Sequence, residues 1–138
     1  MSERTRFLCR LLGLYCLIAP VTMFLHREAT IVMVMALLHD PPLLFMVGLL
    51  TVVAGLALVL GHNFWSGGAY TILVTIIGWI TLVKGLIEWL LPQSAVAELF
   101  LTRLQYARFF PGYMALSFAL GLYLAWGGFR AREGGGPA

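Results

Sequence analysis

Long runs of apolar residues alternate with short polar segments along this chain, and the runs predict membrane-spanning helices. Four runs cover residues 7–25, 43–60, 69–91 and 113–129. Each has about 17 to 23 residues, which at a rise of about 1.5 Å per residue matches a hydrocarbon core about 30 Å thick. An α-helix is predicted for each run, because a lone lipid-exposed strand would leave its backbone groups unpaired.

Composition excludes most other classes of protein. Hydrophobic residues make up 61% of the 138 residues and charged residues 11%, whereas a soluble domain has about 45–50% and about 25%. A disordered chain, a disulfide-stapled secreted domain and a nucleic-acid-binding domain are therefore excluded. A soluble helical bundle would need a charged face on each helix, which the four runs lack. Three or five spans are the alternatives to four.

The first run is predicted to be an uncleaved span. Residues 1–25 are similar to a signal peptide, but Arg10 interrupts the apolar stretch and no A-x-A-like site follows it. Cys9 and Cys16 lie seven residues apart, about 10 Å along a helix, which is too far for a mutual disulfide. We expect both to be packing residues, with neither a redox pair nor a zinc site in the chain.

The distribution of arginines predicts the orientation of the spans. Five arginines fall on the side that also holds the 61–68 turn: Arg4, Arg6, Arg10, Arg130 and Arg132. Three fall on the other side, where acidic residues balance them: Arg27, Arg103 and Arg108 against Glu28, Asp40 and Glu98. Because cytoplasmic loops are enriched in Lys and Arg, both termini are predicted to be cytoplasmic.

An internal repeat is predicted from matching landmarks. Gly13 precedes Pro20 by seven residues in the first run, and Gly85 precedes Pro92 by seven in the third. Residues 55–61 of the second run also align with residues 121–127 of the fourth. These matches indicate two similar helical hairpins with the same orientation in the membrane, a parallel pseudo-repeat. The alternative is coincidence, because Gly and Leu are common in membrane helices.

Two connecting segments are predicted to be short interfacial helices on the same side of the membrane. Residues 28–38 are apolar but too short to span. Residues 94–110 have apolar side chains at helical spacing and a polar side, the pattern of an amphipathic helix on a membrane surface. Together with the four runs, they predict an all-α integral membrane protein forming a single transmembrane domain over residues 1–138.

Lys84 is the most informative candidate residue, because it lies within the third run. Ionisable groups inside a membrane span are costly and are candidates for function. Glu88 follows one helical turn later, so the two side chains can pair. Lys84 then either forms a structural ion pair and extends towards the interface, or serves a function. Asp40 is the alternative partner, because the second run begins on the same side of the membrane.

Small and polar residues form stripes that predict the contact between the second and third spans. Gly48 and Gly55 lie on one stripe, and Gly78 and Gly85 lie on the other. Small residues allow helices to approach closely, so helix packing is the first interpretation and a polar pore lining the second.

The turn between these spans holds His62 and Asn63. A histidine at a membrane edge can bind a metal ion, a headgroup or a proton, but capping and hydrogen bonding explain it more simply. His26 and His39 are predicted to lie on the opposite side, so no pair of histidines faces each other to ligate a haem. No catalytic or phosphate-binding motif is present. We therefore expect no catalytic residues, metal ligands or cofactor.

The turn residues His62, Asn63 and Trp65, followed by Gly78–Trp79, Lys84–Gly85 and Pro92, resemble a family of small four-pass bacterial inner-membrane proteins. The resemblance covers the second and third spans, about a third of the chain. It implies a location in the bacterial inner membrane and a four-pass topology, and it implies no activity.

These observations predict a non-enzymatic accessory subunit. Soluble loops, cofactor ligands and a catalytic constellation are lacking, whereas small-residue helix faces are plentiful. The expected partners are the lipid bilayer and either copies of the chain or other membrane subunits, and no nucleic acid. The alternative is an oligomeric channel or transporter with a path near the Lys84 face, and a membrane enzyme is the third class.

Overall fold

The computed structural model describes residues 2–130, and this part of the chain forms six α-helices. Their bounds are α1 Glu3–Leu25, α2 Arg27–Leu38, α3 Pro41–Gly61, α4 Ala69–Leu90, α5 Gln93–Glu98 and α6 Tyr106–Arg130. Four of them, α1, α3, α4 and α6, are long and apolar enough to cross a membrane. The four predicted spans are thus confirmed by length and composition, and the described chain is helical throughout apart from short turns.

Local chemistry explains where several helices begin and end. Ser2 caps α1, because its side chain accepts a hydrogen bond from the Thr5 amide. Asp40 caps α3 in the same way, accepting from the Leu43 amide at 3.0 Å. Prolines occupy the first two positions of α3, where a missing N–H costs no helical hydrogen bond. Asp40 thus acts as a helix cap.

The segment predicted as one interfacial helix over 94–110 is divided in the structure. After α5, residues 99–103 form a π-helical turn, closed by a bond from the Leu104 amide to the Leu99 carbonyl. Gln105 then adopts a φ of +46°, a conformation that ends a right-handed helix. Residues 106–110 therefore belong to α6, which begins seven residues before the predicted 113–129 span.

The four long helices pack as two tight pairs, α3 with α4 and α1 with α6. In the first pair, a Cβ added to Gly55 would lie 2.5 Å from the Leu82 Cα, and one added to Gly85 would lie 2.6 Å from the Val52 amide nitrogen. No side chain fits at these distances, so glycine permits the close approach of the two backbones. The predicted packing role of the glycine stripes is consistent with these contacts.

Glycines also line the α1–α6 contact. A Cβ on Gly13 would lie 2.5 Å from the Ala125 amide nitrogen, and one on Gly121 would lie 2.7 Å from the Cys16 carbonyl carbon. Cys16 is thus in the helix–helix contact, and Cys9 is buried. The two pairs share one principle, which is backbone contact at glycines between antiparallel helices.

The predicted repeat does not describe the register of these pairs. It aligns Gly13 with Gly85, and Ala125 with Val59. In the α1–α6 pair, Gly13 contacts Ala125. If the α3–α4 pair had the same register, Gly85 would contact Val59. Gly85 instead contacts Val52, two helical turns from Val59. The α3–α4 pair is therefore shifted by seven residues relative to the α1–α6 pair. The repeat itself stays a prediction about sequence.

One buried cluster joins the two pairs, and a second packs two short helices against α3. At one end, Cys9 of α1, Val74 of α4 and Leu124 of α6 form a buried cluster. At the other, Leu38 of α2, Leu44 of α3 and Val96 of α5 form a second cluster. The start of α4 therefore contacts the α1–α6 pair, whereas the start of α3 contacts the short helices α2 and α5.

Candidate functional site

Lys84 and Glu88 form an ion pair on α4, as their spacing predicts. The Lys84 Nζ donates to the Glu88 Oε1 at 2.5 Å. Lys84 lies six residues before the end of α4, which corresponds to about 9 Å along the helix axis. At that depth its flexible stem can direct the ammonium towards the membrane interface.

The two members of the pair differ in burial. The Lys84 side chain is 46% exposed, whereas that of Glu88 is 7% exposed. Glu88 packs against α3, where a Cβ on Gly48 would lie 3.2 Å from the Glu88 Cβ. Within residues 2–130 the second carboxylate oxygen, Oε2, is buried and accepts no hydrogen bond. The part of the pair that faces the surroundings is therefore the positive ammonium.

Lys84 stands in an open groove between α4 and the segment after α5. The groove has a volume of about 440 Å³. Besides Lys84 it is lined only by apolar side chains, namely Trp79, Ile80, Val83, Ile87, Leu99, Phe100 and Leu104. The Lys84 Nζ lies 6.0 Å from the centroid of the Phe100 ring, within range of a cation–π interaction. The groove surface is thus apolar throughout, with the Lys84 stem in its lining and the ammonium beside the Phe100 ring.

A second polar cluster lies at the turn between α3 and α4, about 13 Å along α4 from Lys84. Its centre is the buried Thr75 hydroxyl, which accepts from the Phe64 amide at 3.2 Å. The same hydroxyl lies 2.9 Å from the Phe64 carbonyl oxygen and 3.1 Å from that of Thr71, and it donates its single proton to one of them. The turn is thereby fastened to α4.

His62 is part of this turn cluster and is 1% exposed. Its Nε2 lies 3.3 Å from the Thr71 carbonyl oxygen, so this nitrogen carries the proton and donates. Its Nδ1 is buried without a hydrogen-bond partner in the described chain, and the ring packs edge-on against Phe64. His62 therefore has the surroundings of a structural residue.

Asn63 is on the exposed side of the same turn. Its Oδ1 accepts from the Trp79 indole N–H at 3.3 Å. This bond ties the turn to a side chain more than two helical turns into α4 and satisfies the indole donor.

The structure brings together some of the predicted site residues and separates others. Lys84, Glu88 and Gly48 meet at one end of the α3–α4 pair, and His62 and Asn63 meet at the other. Gly78 packs against Leu58 and Val59 between the two sites. Asp40 is bound to the amide that it caps. Within residues 2–130, no three His, Cys, Asp or Glu side chains are grouped to hold a metal ion.

Two residues that the structure brings to attention, Phe100 and Tyr15, were not among the site residues predicted from the sequence. Phe100 reaches Lys84 only because the chain turns at residues 99–105, and no sequence signal reveals that turn. Tyr15 lies next to the midpoint of α1 and is 68% exposed. The hydroxyl and guanidinium groups of α1 that form hydrogen bonds belong to Thr5, Arg10 and Thr22. Tyr15 therefore presents a polar group outwards at mid-depth.

Comparison with models of protein families, with curated proteins and with solved structures finds no match to this chain.

Proposed function

We propose that the chain is a non-enzymatic accessory subunit of the bacterial inner membrane, which assembles with copies of itself or with other membrane subunits. The observation that carries the proposal is the outward-facing hydroxyl of Tyr15, next to the midpoint of α1. A hydroxyl placed in hydrocarbon without a hydrogen bond costs several kcal/mol on an alkane transfer scale. A neighbouring helix with an acceptor or donor at that depth removes this cost.

The surroundings of Tyr15 favour contact with another helix. Leu11, Leu14 and Ile18 are exposed on the same side of α1 and flank Tyr15 at helical spacing. By contrast, the exposed side chains of α3 are all apolar, among them Leu50 and Val53. The α1 surface therefore offers a specific polar contact within an apolar surface, and the α3 surface is suited to lipid.

The same observations favour a subunit over the channel or transporter alternative. Apart from Lys84, the groove next to the proposed path is lined by apolar side chains, and a conducting path needs polar groups or water along its length. The other half of the ion pair, Glu88, is buried against α3. This supports a structural role for the pair.

Orientation is part of the proposal, with both termini in the cytoplasm. It is supported by the charge asymmetry and by the cluster of Cys9, Val74 and Leu124, which brings the start of α1, the start of α4 and the end of α6 to one side. After replacement of Cys9 and Cys16, a cysteine at residue 3 should be protected from an impermeant thiol reagent in intact cells, whereas one at residue 95 should react. The reverse pattern would contradict the orientation.

Native mass spectrometry in mild detergent tests the assembly. The monomer has a mass of 15.2 kDa, and we expect wild-type protein at a defined multiple of this mass or with a second chain at fixed stoichiometry. Tyr15→Phe should shift the population towards monomer. Tyr123→Phe is the matched control, because Tyr123 is also exposed but stacks on Tyr70 near the end of α6. A wild-type monomer, or ion flux in liposomes that Lys84→Ala alters, would contradict the proposal.

A further inference from the structure

We propose that the Lys84 groove binds one anionic phospholipid, whose phosphate accepts hydrogen bonds from the Lys84 ammonium and whose acyl chain lies along α4. This site is separate from the Tyr15 surface and does not depend on the proposed assembly. Three observations carry it: the unused donors of Lys84, the direction of the groove, and the position of the other carboxylates.

The Lys84 ammonium has hydrogen-bond donors that Glu88 does not use. It carries three N–H groups, of which one is bound by the Glu88 Oε1. Glu88 is buried and Lys84 is half-exposed, so the exposed charge of the pair is the positive one. The Lys84 stem lines the groove, and its ammonium lies beside the Phe100 ring of the groove wall. A phosphate oxygen at the mouth of the groove would accept from the remaining N–H groups, and such charge-assisted hydrogen bonds are the strong ones.

The groove follows the path of a lipid in one leaflet. Its α4 wall extends from Ile87, near the end of the helix, to Trp79, at the helix midpoint. This distance is about 12 Å along the axis. An acyl chain in the groove would pass from the headgroup region towards the bilayer centre over Val83 and Ile80, and its phosphate would be within reach of Lys84.

A second copy of the chain is a poorer occupant of this groove. Within the described residues, the four long helices carry two carboxylates, Glu3 and Glu88. Glu3 begins α1, on the side of the Cys9, Val74 and Leu124 cluster and away from Lys84, and Glu88 is already paired. The outward faces of these helices therefore offer no free carboxylate to Lys84. A phospholipid supplies the missing anion and the apolar chain in one molecule.

Native mass spectrometry of the full chain, titrated with dioleoylphosphatidylglycerol, tests the site. We expect one tightly bound lipid on wild-type protein. Lys84→Met with Glu88→Leu removes both charges without stranding either, and should weaken binding about tenfold or more, because it removes a charge-assisted hydrogen bond. Val83→Trp fills the groove while keeping the ion pair, and should weaken binding similarly. Arg108→Gln changes an exposed cation outside the groove and should bind like wild type.

Each other outcome overturns the proposal. Unchanged affinity in the charge-free double variant would mean that Lys84 does not hold the phosphate. Loss of lipid binding in the double variant alone would mean that no acyl chain occupies the groove. Loss of lipid binding in Val83→Trp alone would mean that the acyl chain binds there without help from Lys84. If the wild-type protein bound the zwitterionic dioleoylphosphatidylcholine with equal affinity, the site would not select an anionic lipid. A protein chain that occupies the groove and blocks lipid binding would identify a different occupant.

Discussion

The two helix pairs use glycine in the same way but place their polar groups differently. In the α3–α4 pair, Thr75 and Glu88 are buried and bound within the pair, and Lys84 is tied to Glu88. In the α1–α6 pair, Tyr15 directs its hydroxyl outwards at mid-depth. The α3–α4 pair thus keeps its polar groups largely to itself, and the proposed assembly assigns the partner contact to the Tyr15 side of the α1–α6 pair.

The largest effect on stability should come from adding a side chain where the α3 and α4 backbones are in contact. We expect Gly55→Ala to lower the free energy of unfolding by about 3 kcal/mol, at the upper end of overpacking costs, because its Cβ would lie 2.5 Å from the Leu82 Cα. Unfolding in mixed micelles of dodecyl maltoside and SDS measures this. Gly61→Ala in the same helix is the control, since nothing lies within 4 Å of its Cβ. Equal stability of the two variants would refute the backbone contact.

The second-largest effect on stability should come from breaking the Lys84–Glu88 ion pair. Glu88→Leu strands Lys84 and should cost about 2 kcal/mol, less than the cost of a charge at the bilayer centre because Lys84 can reach towards the interface. Adding Lys84→Met should restore stability to within about 1 kcal/mol of wild type, since replacing both partners also removes their desolvation cost. The same unfolding assay applies. A double variant less stable than Glu88→Leu alone would show that Lys84 has another partner.

The turn cluster should rank third. Thr75→Val keeps the shape of the side chain but removes the acceptor of the Phe64 amide and the hydroxyl that lies 2.9 Å from the Phe64 carbonyl oxygen. We expect a loss of about 1–2 kcal/mol, the cost of leaving a partly buried polar group unsatisfied. Thr81→Val should change little, because the Thr81 hydroxyl donates only to the Ile77 carbonyl of its own helix. A similar loss in both variants would mean that the turn is not fastened through Thr75.

The smallest effect on stability should come from Tyr15. Tyr15→Phe should leave the unfolding free energy of the isolated chain within about 0.5 kcal/mol of wild type, because the changed atom is exposed. Its effect should instead appear in assembly. A loss of stability in the monomer without a change in assembly would place the Tyr15 hydroxyl in the fold rather than in an interface.

Much of this fold follows from simple sequence patterns. Apolar run length predicts four spans, and the i,i+4 spacing predicts the contact of Lys84 with Glu88. These features are local, so the helix itself brings the residues together. The helix that packs against α1 could not be predicted in this way, because the contact of Gly13 with Ala125 joins residues from opposite ends of the chain. Glycine spacing indicates a close contact but not which helix supplies it.

The candidate site was also only partly predictable. The charge at Lys84 is visible in the sequence, but the groove depends on the turn after α5, where Gln105 adopts a left-handed conformation that is uncommon for residues other than glycine. Burial likewise separates two similar carboxylates, since Asp40 caps α3 at the surface and Glu88 packs inside the pair. Position in the sequence does not distinguish these roles.

Cysteine cross-linking in native membranes tests the central claim, which is that the chain assembles through the α1 surface. After Cys9→Ala and Cys16→Ser, a single cysteine is placed at Ile18, beside Tyr15, or at Leu50 near the midpoint of α3, two positions of almost equal exposure. A membrane-permeable oxidant or a thiol cross-linker should join the chain to a copy or to a second subunit from Ile18→Cys and not from Leu50→Cys. Tyr15→Phe should reduce the Ile18→Cys product. Products from both positions in equal yield, or from Leu50→Cys alone, would contradict the account.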